Sequence, residues 1–122
     1  MTATRPTIVC ITTHPVLRNM IERHGERFAK IVCLPDVAEF ERRAVQLRPA
    51  ALLLDEDSVP AMIHDVERIR KHPTMKTVRI VTISPRLTHE QRSALHTAGA
   101  DDILLTTHHT PRDIMARLQS LL

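Results

Sequence analysis

The fold is set by Thr7-Ile8-Val9-Cys10-Ile11-Thr12-Thr13-His14-Pro15, in which an apolar run passes directly into a polar turn and a proline. Proline suits the first turn of a helix, because its missing N–H needs no partner there. The same change from an apolar run to a helical pattern recurs along the chain. The runs are Thr7 to Ile11, Phe28 to Leu34, Ala50 to Leu54, Val78 to Ile83 and Asp102 to Leu105. Strands alternating with helices predict a parallel sheet with helical crossovers.

The helical segments have recognisable ends. The expected start signals are Asp36 with Glu39, Thr88 with Gln91, and Thr110 ahead of Pro111, and the expected stop of the first helix is Gly25. The first, third and fourth strands are continuous apolar runs, as is typical of strands covered on both faces. The sequence therefore predicts one domain over residues 1–122, an α/β flavodoxin-like (βα)5 three-layer sandwich with a five-stranded parallel sheet in the order 2-1-3-4-5.

Composition narrows the classes of function. The chain has no Trp or Tyr and only two Phe, which disfavours stacking on nucleic-acid bases. The net charge of +3 comes from arginines interleaved with acidic residues, as on a solvated surface. No apolar stretch approaches the roughly 20 residues of a membrane span, so we expect a cytoplasmic protein without nucleic-acid or membrane contacts. No glycine-rich phosphate loop or nucleophile motif is present, so we expect no enzyme.

The order of the segments resembles the receiver domains of response regulators over essentially the whole chain. Ala98-Gly99-Ala100-Asp101-Asp102-Ile103-Leu104 is similar to the approach to receiver strand 5, and Pro111-Arg112-Asp113-Ile114-Met115-Ala116-Arg117-Leu118 to receiver helix 5. Arg48-Pro49-Ala50-Ala51-Leu52-Leu53-Leu54-Asp55 ends at an aspartate, where receivers keep their phosphoryl acceptor. The resemblance implies a CheY-like signalling module of a two-component system or phosphorelay, with a kinase or an output domain as its partner.

The resemblance also assigns site residues. Asp55 takes the position of the acceptor, and Ser84 that of the hydroxyl that binds the phosphoryl group after transfer. Thr12 and Thr13 replace the acidic pair that holds Mg²⁺ in receivers, and Thr106 replaces the strand-5 lysine. No acidic residue precedes residue 22 and no lysine follows residue 76, so no shift of register restores either feature.

These replacements disfavour Mg²⁺-dependent phosphorylation. Mg²⁺ prefers near-octahedral oxygen ligands anchored by one or two carboxylates, and Thr12 and Thr13 supply no charge. Of Glu56 and Asp57, only one is expected to face the pocket, because adjacent side chains on an extended segment point to opposite faces. Arg86 is the basic residue nearest in sequence, and a loop arginine is more often solvated. We expect no catalytic residue, metal site or cofactor, with Mg²⁺ binding weak or absent.

Three functions remain open. The leading hypothesis is a degenerate pseudo-receiver that acts through protein contacts. The second is a divergent receiver whose Asp55 is still phosphorylated, with one of the acidic residues that follow it standing in for the lost pair. The third is a small ligand- or metal-binding module, because His14, the acidic residues after the third strand, and His108 with His109 are expected to share one edge of the sheet. We favour the simpler interpretation that these histidines lie in solvated loops.

The last helix suggests a partner surface. We expect it to bury Ile114, Leu118 and Leu121. Met115 and Leu122 widen this stripe, which suits a homodimer through helix 4, strand 5 and helix 5 as well as it suits ordinary core burial.

The two cysteines are expected to be structural. Cys10 and Cys33 lie in apolar runs without any metal-ligand spacing. Their matching places near the ends of these runs predict free thiols on neighbouring strands.

Overall fold

Five strands alternate with five α-helices over residues 5–122, the part of the chain that the computed structural model describes. The strands are Thr7–Ile11 (β1), Lys30–Leu34 (β2), Ala51–Asp55 (β3), Arg79–Ser84 (β4) and Asp102–Leu105 (β5). The helices are Pro15–Gly25 (α1), Val37–Leu47 (α2), Met62–Lys71 (α3), His89–Ala98 (α4) and Pro111–Leu121 (α5), and 3-10 turns cover Glu56–Ser58 and Pro73–Met75. The strands pair in parallel in the order β2-β1-β3-β4-β5, so the predicted fold is confirmed.

Two apolar layers cover the faces of the sheet. Successive side chains of a strand point to opposite faces, and in β1 Val9 and Ile11 pack with α2, α3 and α4 while Ile8 and Cys10 pack with α1 and α5. Every residue of β3 is buried, which explains its uninterrupted apolar run. Within residues 5–122, none of the helices combines the length and the apolar character needed to cross a lipid bilayer.

The helix ends follow the sequence signals. The N-caps of α2, α4 and α5 are Asp36, Thr88 and Thr110, and the latter two form complete capping boxes with Gln91 and Asp113. These bonds satisfy N–H groups that have no partner inside the helix. The helix α1 ends at Gly25, where an added Cβ would lie 2.6 Å from Ile31 Cδ1 and 2.7 Å from Met115 Cε. A glycine at this position therefore lets α1 pack closely against β2 and α5.

The stripe on α5 is explained by the core. Met115 is buried beside Ile114 and Leu118, because it reaches the space left by Gly25, whereas Leu122 is exposed. Met115 therefore belongs to the core, which favours ordinary core burial over the dimer surface, the two alternatives that helical spacing left open.

The cysteines lie where they are expected. Cys10 of β1 and Cys33 of β2 are partners in the parallel register, and both are free thiols. Cys10 is fully buried and Cys33 is partly exposed. The hydrogen bond with Cys33, together with burial, raises the pKa of Cys10 well above its ordinary value.

Arg70, near the end of α3, joins several elements, and we call this arrangement the Arg70 clamp. Its guanidinium donates to the carbonyls of Met75, Lys76, Val78 and Gly99 and pairs with Asp101 at 3.0 Å. Asp101 also accepts from the backbone N–H of Ile80. Because the planar guanidinium carries five donors in a fixed geometry, one side chain links α3 to β4 and to the turn that precedes β5.

Candidate functional site

The carboxyl ends of β1 and β3 meet at one edge of the sheet, because the two strands are parallel neighbours. Chain order reverses between these strands, and this is where open α/β sheets bind their ligands. Two short segments lie opposite each other there. We call their polar residues the strand-end site: Thr12, Thr13, His14, Asp55, Asp57 and Ser58.

Thr12 holds the carboxylate of Asp55. Both residues are buried, at 4% and 5% exposure, and Thr12 Oγ1 donates to Asp55 Oδ2 at 2.9 Å. The same hydroxyl oxygen accepts from the backbone N–H of His14 at 3.1 Å. A buried carboxylate needs donors to offset its loss of water, and a neutral hydroxyl supplies one here. Thr12 therefore contributes to the site directly, because its hydroxyl hydrogen-bonds both Asp55 and the backbone of His14.

Thr13 connects the same two segments through Ser58. The backbone N–H of Thr13 donates to Ser58 Oγ at 2.8 Å, and the two hydroxyl oxygens lie 3.1 Å apart. Ser58 was not among the site residues predicted from the sequence. Its only signal is its place three residues beyond Asp55, which becomes informative once the 3-10 turn Glu56–Ser58 is known.

His14 brings an ionisable imidazole to the carboxylates. Its Nε2 lies 3.0 Å from Asp57 Oδ2 and 3.8 Å from Asp55 Oδ2. Pro15 restricts the residue before it to extended backbone, and His14 has φ −81° and ψ 111° at the start of α1. The hydrogen bond with Asp57 and the charge of Asp55 raise the pKa of His14 above its ordinary value.

The turn after β3 separates the two acidic residues that follow Asp55. Asp57 faces the strand-end site, where its backbone N–H points at Asp55 Oδ1 over 3.4 Å. Glu56 instead lines a cleft of about 420 Å³ between α3 and α4. Of these two acidic side chains, only that of Asp57 therefore faces Asp55 in the strand-end site, as expected for adjacent residues.

Ser84 ends β4 beside that cleft. It is 1% exposed, and within the described part of the chain its Oγ has no hydrogen-bond partner. Thr106 lies outside, with an exposed side chain and a backbone N–H that donates to the carbonyl of Ser84. Arg86 is exposed, and among residues 5–122 neither lysine nor arginine pairs with Asp55 or Asp57.

The histidines after β5 do not join the strand-end site, in keeping with the favoured interpretation that they lie in a loop and against the alternative of a shared metal site. His109 Nδ1 lies 3.1 Å from the carbonyl of Leu105, and His108 Nδ1 lies 3.1 Å from the hydroxyl of Thr107. Both rings therefore contact groups of their own turn and not the carboxylates of the strand-end site. Of the residues described, His14, Asp55 and Asp57 are the group with donor atoms close enough to share an ion.

The donor chemistry of this group differs from what Mg²⁺ requires. Mg²⁺ takes oxygen ligands in near-ideal octahedra, whereas one of the three donors here is an imidazole nitrogen. The hydroxyl of Thr12 is already committed to Asp55 and to the backbone of His14. The residues present do not reproduce a receiver magnesium site.

Solved structures identify the fold. The chain superposes on a response regulator from Thermotoga maritima with a TM-score of 0.84 at 13% identity, covering 97% of this chain and 98% of that one. Chemotaxis response regulator CheY4 of Vibrio cholerae gives 0.83 at 18% identity over 98% and 100% of the two chains. An orphan response regulator of H. pylori gives 0.84 at 16% identity over 98% and 99%. No protein-family model matches the sequence, and no curated protein matches it. The chain therefore has the fold of response-regulator receiver domains.

Proposed function

We propose that this chain is a pseudo-receiver, a cytoplasmic signalling module that works through protein contacts without Mg²⁺-dependent phosphorylation. One observation carries the proposal. The segments after β1 and β3 are joined by direct hydrogen bonds, from Thr12 to Asp55, from Thr13 to Ser58 and between His14 and Asp57. These bonds join the two segments directly, so Mg²⁺ held by an acidic pair is not needed to connect them.

The charges of the site support the same conclusion. A phosphoryl group on Asp55 would add about 1.5 to 2 negative charges. Asp57 already lies beside it, and among the described residues His14 is the only nearby basic side chain, charged only when it is protonated. Catalysis of phosphoryl transfer rests mainly on positioning and on offsetting charge. The strand-end site offers little positive charge to offset that of a phosphoryl group.

The proposed partners are other signalling proteins, a kinase or an output domain. An exposed apolar residue adjoins the strand-end site, since Val16 is 75% exposed in the first turn of α1. Single exposed apolar side chains are common on protein surfaces, so Val16 marks a position to test and does not by itself define a contact surface. A homodimer through α4, β5 and α5 has less support. Among the apolar residues of the α5 stripe, only Leu122 is strongly exposed.

Beryllofluoride and acetyl phosphate with Mg²⁺ test the proposal. Neither reagent should change the mass of the protein or the NMR signals of Asp55 and Ser84. The matched control is Asp55→Asn, which separates modification at the acceptor from modification elsewhere. A change that occurs in the wild type and is lost in Asp55→Asn would show that the site accepts a phosphoryl group.

A divergent but phosphorylatable receiver is the second candidate. Two observations favour it: Asp57 lies close enough to Asp55 to act as a second acid, and the buried Ser84 hydroxyl is unpaired. In that case the same reagents should modify Asp55, and Asp57→Asn should greatly slow the reaction. Full reactivity of Asp57→Asn would remove Asp57 from this role.

A further inference from the structure

We propose that His14, Asp55 and Asp57 form a binding site for a borderline transition cation of the Zn²⁺ class. The site would have one imidazole and two carboxylate ligands, with water completing the coordination. It does not depend on the proposed signalling role, because it rests only on the positions of these three side chains.

The spacing of the donor atoms suits such an ion. With bonds of about 2.0–2.2 Å to nitrogen and oxygen, neighbouring ligands of a tetrahedral Zn²⁺ lie roughly 3.3 Å apart. His14 Nε2 lies 3.0 Å from Asp57 Oδ2 and 3.8 Å from Asp55 Oδ2, and all three donor atoms lie within 4.8 Å of one another. The two exposed side chains, those of His14 and Asp57, are the ones that would adjust to bring the set to a common centre.

The least mobile ligand is already oriented. Asp55 is buried, and Thr12 donates to its Oδ2 while the backbone N–H of Asp57 points at its Oδ1. Hydrogen bonds from outer groups fix metal ligands in place and are part of most metal sites. His14 is held in turn, because its backbone N–H donates to the same Thr12 hydroxyl. Thr12 thus positions two of the three ligands.

The ligand types determine which ion is preferred. Imidazole suits Zn²⁺, Ni²⁺ and Cu²⁺, whereas Mg²⁺ prefers sites built from oxygen. Two carboxylates with a neutral imidazole leave two negative charges, which a divalent ion offsets. The side chains of His14 and Asp57 are 52% and 62% exposed, so an ion can enter from solvent and keep water ligands.

Calorimetric titration of Zn²⁺ into chelator-treated full-length protein tests the site. We expect one ion per chain, and at least tenfold weaker binding in His14→Ala and in Asp57→Asn. The matched control is His108→Ala, which removes an exposed histidine outside the site and should bind as the wild type does. A hundredfold excess of Mg²⁺ over Zn²⁺ should leave the titration unchanged.

NMR of the histidine rings identifies the ligand directly, independently of any effect of the variants on folding. One equivalent of Zn²⁺ should shift the ring signals of His14 while those of His108 and His109 stay in place. Three results would each overturn the proposal: no binding at micromolar Zn²⁺, equal affinity of His14→Ala and the wild type, or ring shifts confined to other histidines.

Discussion

Replacing Thr12 by valine tests the central contact of the strand-end site. Valine keeps the shape of the side chain and removes the hydroxyl that donates to Asp55 Oδ2 at 2.9 Å. A hydrogen bond to a charged group contributes about 1.5–3 kcal/mol to stability. Removing the donor loses this contribution, because the buried acceptor is left without a partner. Since both residues are at most 5% exposed, water replaces the donor poorly. We expect the free energy of unfolding to fall by about 2 kcal/mol.

Urea denaturation measures this loss. For a domain of this size the slope with urea is about 1–3 kcal/mol per molar, so the midpoint should fall by about 1 M. In an Asp55→Asn background the acceptor is neutral, and the same substitution should cost only about 1 kcal/mol. The control Thr13→Val alters an exposed hydroxyl and should cost less than about 0.5 kcal/mol. A Thr12→Val cost below about 0.5 kcal/mol, or an equal cost in both backgrounds, would refute the assignment of Thr12 as the donor that holds Asp55.

Other features of the structure give further expectations. Arg70→Lys keeps the charge but loses most of the bonds to backbone carbonyls, so the free energy of unfolding should fall by about 2–3 kcal/mol; a loss under about 1 kcal/mol in urea titrations would contradict the clamp. In metal-free protein, NMR titration should give His14 a pKa above the ordinary value of about 6.5, and Asp57→Asn should lower it. Because this pKa is raised by folding, its contribution to stability is present below the unfolded pKa and is lost as pH rises through the folded one. The stability difference between wild type and Asp57→Asn should therefore shrink from mildly acidic to alkaline pH. A difference that grows with pH would contradict this prediction. Thiol titration should find Cys10 and Cys33 both free in unreduced, denatured protein, with only Cys33 reacting quickly in the native state; fast labelling of both would be inconsistent with the buried position of Cys10.

The architecture was predictable because each of its elements is signalled locally. Apolar runs mark the strands, and the caps at Asp36, Thr88 and Thr110 mark helix starts to within one residue. Strand order then follows from parallel pairing and right-handed crossovers. The end of α2 was not predictable, because Arg48 ends it in the left-handed region at φ 46°, where glycine is the usual residue.

The strand-end site was predictable in position but not in its contacts. Sequence analysis places Thr12, Asp55 and Ser84 at the correct edge of the sheet, since each follows a recognisable strand. The hydrogen bonds between the segments after β1 and β3 depend on the 3-10 turn Glu56–Ser58, and no residue pattern in the sequence predicts this turn. That turn brings Asp57 and Ser58 to face β1. The Arg70 clamp is equally hidden, because all of its partners except Asp101 are backbone carbonyls.

The hydrogen bonds of the strand-end site also bear on how the chain folds. They join residues 43 to 45 positions apart, with α1, β2 and α2 between them. Such contacts form only after β1 and β3 have aligned, because closing the intervening loop costs entropy first. We therefore expect these bonds to form after the transition state of folding. Weakening them should accelerate unfolding while leaving the folding rate nearly unchanged. On this expectation, the polar edge of the sheet contributes to the lifetime of the folded molecule, and pairing of the apolar strands sets the folding rate.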